Sequence, residues 1–167
     1  MSDHIFLIGP MGVGKSTIGR LLAADVALPF YDSDRVIEKR TGADIPWIFD
    51  MEGEEGFRLR ESAVLADLVA GPDAVIATGG GIVVREENRR LMRARGKVFY
   101  LAASIDQLVE RTAKDKKRPL LQVDNPRNKI VQLMQERDQL YRELADVILD
   151  TDKLSAKTAA AEIATYL

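Results

Sequence analysis

The stretch Gly9-Pro10-Met11-Gly12-Val13-Gly14-Lys15-Ser16-Thr17 decides how the chain is read. An apolar run, Ile5-Phe6-Leu7-Ile8, precedes it, and Ile18, Leu21, Leu22 and Val26 follow at a spacing that puts them on one side of a helix. The order is strand, glycine loop, helix. The spacing fits G-x-x-x-x-G-K-[ST], a loop that holds phosphate. Gly9, Gly12 and Gly14 allow a tight turn whose backbone N–H groups surround an anion. The helix that starts near Lys15 points its positive end at the same place. Lys15 can reach β- and γ-phosphates as a point charge, and the Ser16 hydroxyl can ligate Mg²⁺. A glycine-rich turn that binds nothing is the plain alternative. The strand before it, the helix after it and Lys-Ser in register argue against that.

Bulk composition narrows the field. A chain of 167 residues with 46% hydrophobic residues fits one domain built on one core. A formal net charge of −2 offers no general grip on nucleic acid or an anionic membrane, so neither is expected as a partner. With no cysteine, disulfides, thiolate metal sites and a cysteine nucleophile are excluded. The one histidine, His4, is expected at a strand edge, and a lone histidine makes no zinc site. No leader segment precedes the first strand, and no apolar run is long enough to span a bilayer. A reducing cytoplasm and a monomer are the expectations.

Apolar, β-rich runs fall at 5–8, 29–31, 74–78, 97–101 and 147–149, separated by longer stretches of helical spacing. That alternation predicts an α/β layer fold with a mainly parallel sheet. Ser155 reads as the N-cap of a last helix with Ala159, Ala160, Ile163 and Leu167 facing inward. Two stretches, 41–56 and 112–126, are expected to be mobile from their glycine, proline and lysine content.

Four further places carry chemistry. Asp32-Ser33-Asp34 closes the second strand, where ligands of open α/β sheets bind. Its carboxylates could serve Mg²⁺ and an acceptor hydroxyl, or Asp32-Ser33-Asp34 could cap the next helix; both roles are compatible. Arg58 and Glu61, three apart on a helix face, read either as a surface ion pair or as an arginine aimed at an anionic substrate group. Gly79-Gly80-Gly81 ends the third strand, as a tight turn or as a place where a ligand approaches the backbone. Arg118, within Lys114–Arg118 and before Pro119-Leu120-Leu121, is either part of a solvated run or an arginine on a hinged loop over transferring phosphate. Arg137, Tyr141 and Glu143 lie in a heavily charged helix and read most simply as its solvent face.

The ordered set is more specific than any member. Gly9-x-Met11-Gly12-x-Gly14-Lys15-Ser16-Thr17, Asp32-Ser33-Asp34-x-x-Ile37-Glu38, Gly53-Glu54-x-x-Phe57-Arg58-x-x-Glu61, Gly79-Gly80-Gly81, Arg118-Pro119-Leu120-Leu121 and Arg137-x-x-x-Tyr141-x-Glu143-x-Ala145 resemble the shikimate kinase family along the full length. The resemblance implies a three-layer α/β/α P-loop kinase like the nucleoside monophosphate kinases, with a five-stranded parallel sheet in the order 2-3-1-4-5. It implies a single kinase domain over 1–167, with a substrate-binding segment at about 33–61 and a lid at about 112–124. The implied reaction moves the γ-phosphate of ATP to the 3-hydroxyl of shikimate. Gly12, Val13, Gly14, Lys15, Ser16 and Thr17 would cradle ATP, and Ser16 would hold Mg²⁺ with Asp32 assisting through water. Asp34 would orient the hydroxyl and accept its proton. Arg58 and Arg137 would clamp the shikimate carboxylate, Glu61 would brace Arg58, and Gly79, Gly80 and Gly81 would offer backbone contacts. Arg118 would descend on the phosphates, and Arg111 would lie against adenine, which Asp150–Leu154 would border. Two alternatives stand beside this: another small-metabolite or nucleotide kinase of the same fold, such as a gluconate or adenylate kinase, and a nucleotide-binding interaction module without catalysis.

Overall fold

β1 (His4–Ile8) carries alternate side chains to opposite faces, and both faces are covered. Ile5 and Leu7 join one core with Ile18, Leu22, Phe99, Ala160 and Ile163. Phe6 and Ile8 join another with Leu65, Ile76, Tyr100, Tyr141 and Leu144. A strand buried on both sides needs layers on both sides, which is why a continuous apolar run marks the middle of a parallel sheet. The computed structural model describes residues 3–113 and 123–167. Within them, β2 (Phe30–Asp32), β3 (Val75–Ala77), β4 (Gly96–Ala102) and β5 (Val147–Asp150) complete a five-stranded sheet of order β2-β3-β1-β4-β5. Every pairing is parallel, with Ile5 opposite both Val75 and Lys97. The five runs read from the sequence match these strands to within a residue or two, and the order is the expected one.

The helices are α1 (Lys15–Val26), α2 (Ser33–Thr41), α3 (Ile45–Ala70), α4 (Glu86–Arg95), α5 (Ile105–Thr112), α6 (Pro126–Leu144) and α7 (Ala156–Ala164). Their starts are chemically marked: Asp32, Asp44, Ser104, Asn125 and Ser155 each accept a backbone N–H of the first turn. No helix among the described residues is long and apolar enough to cross a membrane.

Several expectations change. Leu21 is 38% exposed and Leu167 53% exposed, so neither faces the core. His4 opens the central strand fully buried, with Nε2 against the carbonyl of Val69 at 3.0 Å. The stretch 41–56 is mostly helix. Asp44 caps it, Pro46 tolerates the first turn, and only Gly53 breaks the helix, with φ 72° and ψ 178°. Ile37, Ile45, Ile48, Phe57 and Val64 pack α2 and α3 on each other as a small separate core. Of the 112–126 stretch, residues 114–122 lie outside the described residues.

Candidate active site

The strands run parallel, so their C-terminal ends collect at one edge, and the predicted residues collect with them. The loop after β1 has Gly9, Gly12 and Gly14 at φ 147°, 85° and 103°, a region that favours glycine. A side chain at Gly9 would meet the Leu101 carbonyl of β4 at 2.5 Å, and one at Gly12 the Thr112 methyl at 2.6 Å. Thr112 over Gly12 is a contact no pattern in the sequence announced. Val13 turns its side chain into the core. No side chain among the described residues caps α1, which leaves the first-turn N–H groups of Lys15, Ser16 and Thr17 directed at the cleft.

Lys15 is not solvated, as its role would suggest. It is 9% exposed, and Nζ donates to the carbonyls of Gly9 at 2.6 Å and Pro10 at 2.8 Å. The ammonium satisfies its own loop. Asp32 fills the capping role: Oδ1 accepts from the N–H of Asp34 at 3.0 Å, at the start of α2, while Oδ2 accepts the Ser16 hydroxyl at 2.5 Å. Asp34 therefore starts a helix; it does not end a strand. A cleft of about 260 Å³ runs between these groups, lined by Gly12, Lys15, Ser16, Asp32, Asp34, Gly79, Gly80 and Arg111. Arg35, Glu38 and Ile45 also line it and were not singled out for it. Glu38 joins α2 to α3, accepting the Ile45 N–H at 3.1 Å.

The glycine turn is a negative of the side chains around it. A Cβ on Gly79 would sit 2.7 Å from Asp34 Oδ1 and 2.8 Å from Glu61 Oε2, and one on Gly81 would collide with the Arg58 guanidinium. The close approach read from three glycines is real, and here the chain's own carboxylates and arginine make it.

Arg58 and Glu61 are 6% and 0% exposed, with Nη1 to Oε1 at 2.9 Å, so the surface-pair reading fails. Arg137 and Tyr141 are 5% and 1% exposed, so the solvent-face reading fails for them, while Glu143 is exposed. A signal was available: Ile130, Leu133, Arg137, Tyr141 and Leu144 form one helical stripe, and the apolar members say it faces inward. Arg58 Nε, Arg137 Nε and Glu61 Oε2 have no hydrogen-bond partner among the described residues. Arg111 lines the cleft and donates from Nη1 to the Val13 carbonyl at 2.8 Å, steadying the loop. Thr151 in the 150–154 segment is buried and bonds the Ala102 carbonyl, next to β4. Arg118 lies outside the described residues.

Burial pushes the Glu61 carboxyl up to about 7; Arg58 pulls it down and Asp34 adds to the rise. The folded value lies above the unfolded one, so protonated Glu61 favours the fold at low pH. That contribution is lost as pH rises from about 4.5 through about 7. Glu61→Gln should remove it. The gap in unfolding free energy between pH 5 and pH 8 should shrink by up to about 3 kcal/mol in urea melts. An unchanged gap would show that Glu61 titrates normally.

A phosphate-cradling loop on a parallel sheet, opening on a carboxylate-lined cleft, places the chain in the class of P-loop α/β kinases. The family model for shikimate kinase matches residues 11–167, and the chain belongs to the shikimate kinase family. It is 57% identical to a shikimate kinase of Vibrio parahaemolyticus over 98% of this chain and 95% of the relative. It is 56% identical to one of Legionella pneumophila over 98% and 94%. Among solved structures, shikimate kinase from Acinetobacter baumannii in complex with shikimate superposes with a TM-score of 0.97 at 46% identity, covering 99% of this chain and 93% of that one. The Aquifex aeolicus shikimate kinase gives 0.85 at 37% identity, covering 97% and 94%.

Proposed function

We propose that this chain transfers the γ-phosphate of ATP to the 3-hydroxyl of shikimate, giving shikimate 3-phosphate and ADP on the way to chorismate and the aromatic amino acids. The observation that carries this is a pair of buried guanidinium groups: Arg58, against the glycine turn that shares its cleft with the phosphate loop, and Arg137, beside Met11 of that loop and Tyr141. The phosphate loop suits a polyphosphate, and the buried arginine forks suit a planar carboxylate. The ligand of the Acinetobacter baumannii structure has that chemistry.

In this reading Gly12 to Thr17 hold the phosphates. Lys15 leaves the Gly9 and Pro10 carbonyls for the β- and γ-phosphates. Asp34 orients the 3-hydroxyl and takes its proton as the phosphorus–oxygen bond forms and ADP departs. Arg58, held by Glu61, and Arg137 bind the carboxylate, and their acceptor-free Nε–H groups support an anion beside them. Gly79, Gly80 and Gly81 form the wall behind the substrate, and Arg111 holds the nucleotide side of the loop. A role for Arg118, with closure of 112–124, follows from the resemblance alone. Mg²⁺ fits the oxygens of Ser16 and Asp32, which meet at 2.5 Å. No group of three His, Asp or Glu side chains among the described residues could hold a metal, and a Mg²⁺ that keeps water and phosphate ligands needs none. When bound it supplies charge neutralisation at the phosphates. A monomer is carried over from the reading of the sequence, and the pathway supports a cytoplasmic place.

A coupled assay with shikimate, gluconate and AMP tests the substrate; only shikimate should drive ATP consumption. Arg58→Ala and Arg137→Ala should each weaken shikimate binding by about 10- to 150-fold, the worth of a charge-assisted hydrogen bond of about 1.5–3 kcal/mol. Trp47, the chain's only tryptophan, is 50% exposed two residues from cleft-lining Ile45 and reports binding by fluorescence. Unchanged shikimate affinity in both variants would remove the carboxylate clamp and, with it, the substrate.

A further inference from the structure

Tyr141 sits one helical turn beyond Arg137 and 1% exposed, yet its hydroxyl is the part of α6 that reaches the glycine turn, donating to the Gly80 carbonyl at 2.5 Å. Its ring packs on Tyr100, centroids 4.9 Å apart at 31°. Tyr100 in turn donates to Asp138 Oδ1 at 2.7 Å, and Arg142 bonds the other oxygen of that carboxylate at 2.8 Å. The phenol is therefore held from behind by packing, and its hydroxyl bonds the Gly80 carbonyl with Arg137 beside it.

That carbonyl matters because of where it is. Gly80 rests on the phosphate loop, with Met11 N and Gly9 O 3.4 and 3.5 Å from where its side chain would start. Gly81 lies against the Arg58 guanidinium. Three successive glycines have no intrinsic preference that would hold one peptide orientation. A trans peptide sends its N–H opposite to its C=O, so fixing the Gly80 oxygen on Tyr141 fixes the Gly81 N–H away from α6. Burial raises the Tyr141 hydroxyl to about 12, with Arg137 pulling the other way, so the proton donated to Gly80 stays in place across the working pH range.

On the reading of the cleft as a shikimate site, we infer that Tyr141 is a positioning residue for the substrate. It acts through the Gly80 carbonyl and through Arg137, setting the glycine turn and the guanidinium in one register. Its loss should loosen substrate binding more than it alters the phosphate loop chemistry, because the bond it removes ends on the Gly80 carbonyl.

The test is Tyr141→Phe, which keeps the ring and removes the bond to Gly80. KM for shikimate should rise about tenfold, equivalent to about 1.4 kcal/mol, with kcat and KM for ATP changed by less than about twofold. The Kd for shikimate from Trp47 fluorescence should move with KM. Tyr100→Phe serves as the control: it loses a hydrogen bond to a partly exposed carboxylate, lowers the melting temperature and leaves KM for shikimate unchanged. Tyr141→Leu, which also loses the ring stack, should lower both stability and affinity. A Tyr141→Phe chain with unchanged KM, with kcat lost in place of affinity, or without a fold, overturns the inference. Failure of the wild type to use shikimate would instead overturn the proposed function, so the two failures are separable.

Discussion

Lys15→Ala should lower kcat by about 10²–10³-fold while the chain stays folded, the scale seen when one preorganised charge-stabilising donor is removed. The fold should survive because the Lys15 bonds to the Gly9 and Pro10 carbonyls tie down its own loop, away from the core of the sheet. Losing a charge-assisted bond of this kind costs about 1.5–3 kcal/mol. The kinetic loss is larger because Lys15 stands in the phosphate loop itself, while Arg111 beside it is engaged with Val13. Circular dichroism melts and the coupled assay on the same preparation check it. A folded variant with near-normal turnover would remove Lys15 from the chemistry.

Asp34→Asn should lower kcat by about 10²–10⁴-fold, the range for a lost general base, with a much smaller change in shikimate affinity. Asparagine keeps the size that the gap at Gly79 accommodates, and it can still orient a hydroxyl. It cannot take the proton. The Asp34 backbone is fixed by Asp32 Oδ1, so the substitution should not displace α2. Comparing kcat with the fluorescence-derived Kd separates the two steps. A loss confined to affinity would make Asp34 a binding group only.

Much of this was legible from the chain. Strand runs and the glycine loop are local patterns, and locally repeated physics reads well: continuous burial along β1, caps at Ser155 and Asp32, positive φ at Gly12 and Gly14. What was missed depends on contacts between distant residues. Charge density made Arg137 and Tyr141 look solvated, although their helix buries the stripe they stand on. Lys15 was assigned by its task and not by its nearest acceptors, which are its own loop's carbonyls. Gly79 and Gly81 were read as making room for a ligand, and the first occupants of that room are Asp34, Glu61 and Arg58. The 41–56 stretch was judged by its glycines and proline, while Asp44 and the small core under α2 and α3 keep it helical apart from Gly53.

The sheet order has a consequence for how the molecule is born. β1 leaves the ribosome before either of its neighbours, yet it lies in the middle, bonded on one side to β3, with Ile5 opposite Val75, and on the other to β4, with Ile5 opposite Lys97. The nucleotide loop hangs from a strand whose first neighbour is seventy residues away (75 − 5). At about 5–20 residues per second, that neighbour follows about 4–14 s later. Until then Ile5-Phe6-Leu7-Ile8 has no sheet to join, an apolar segment with open edges on a nascent chain. The strand that carries the phosphate loop thus waits for partners from the middle of the chain, and wrong pairing is the hazard of that interval.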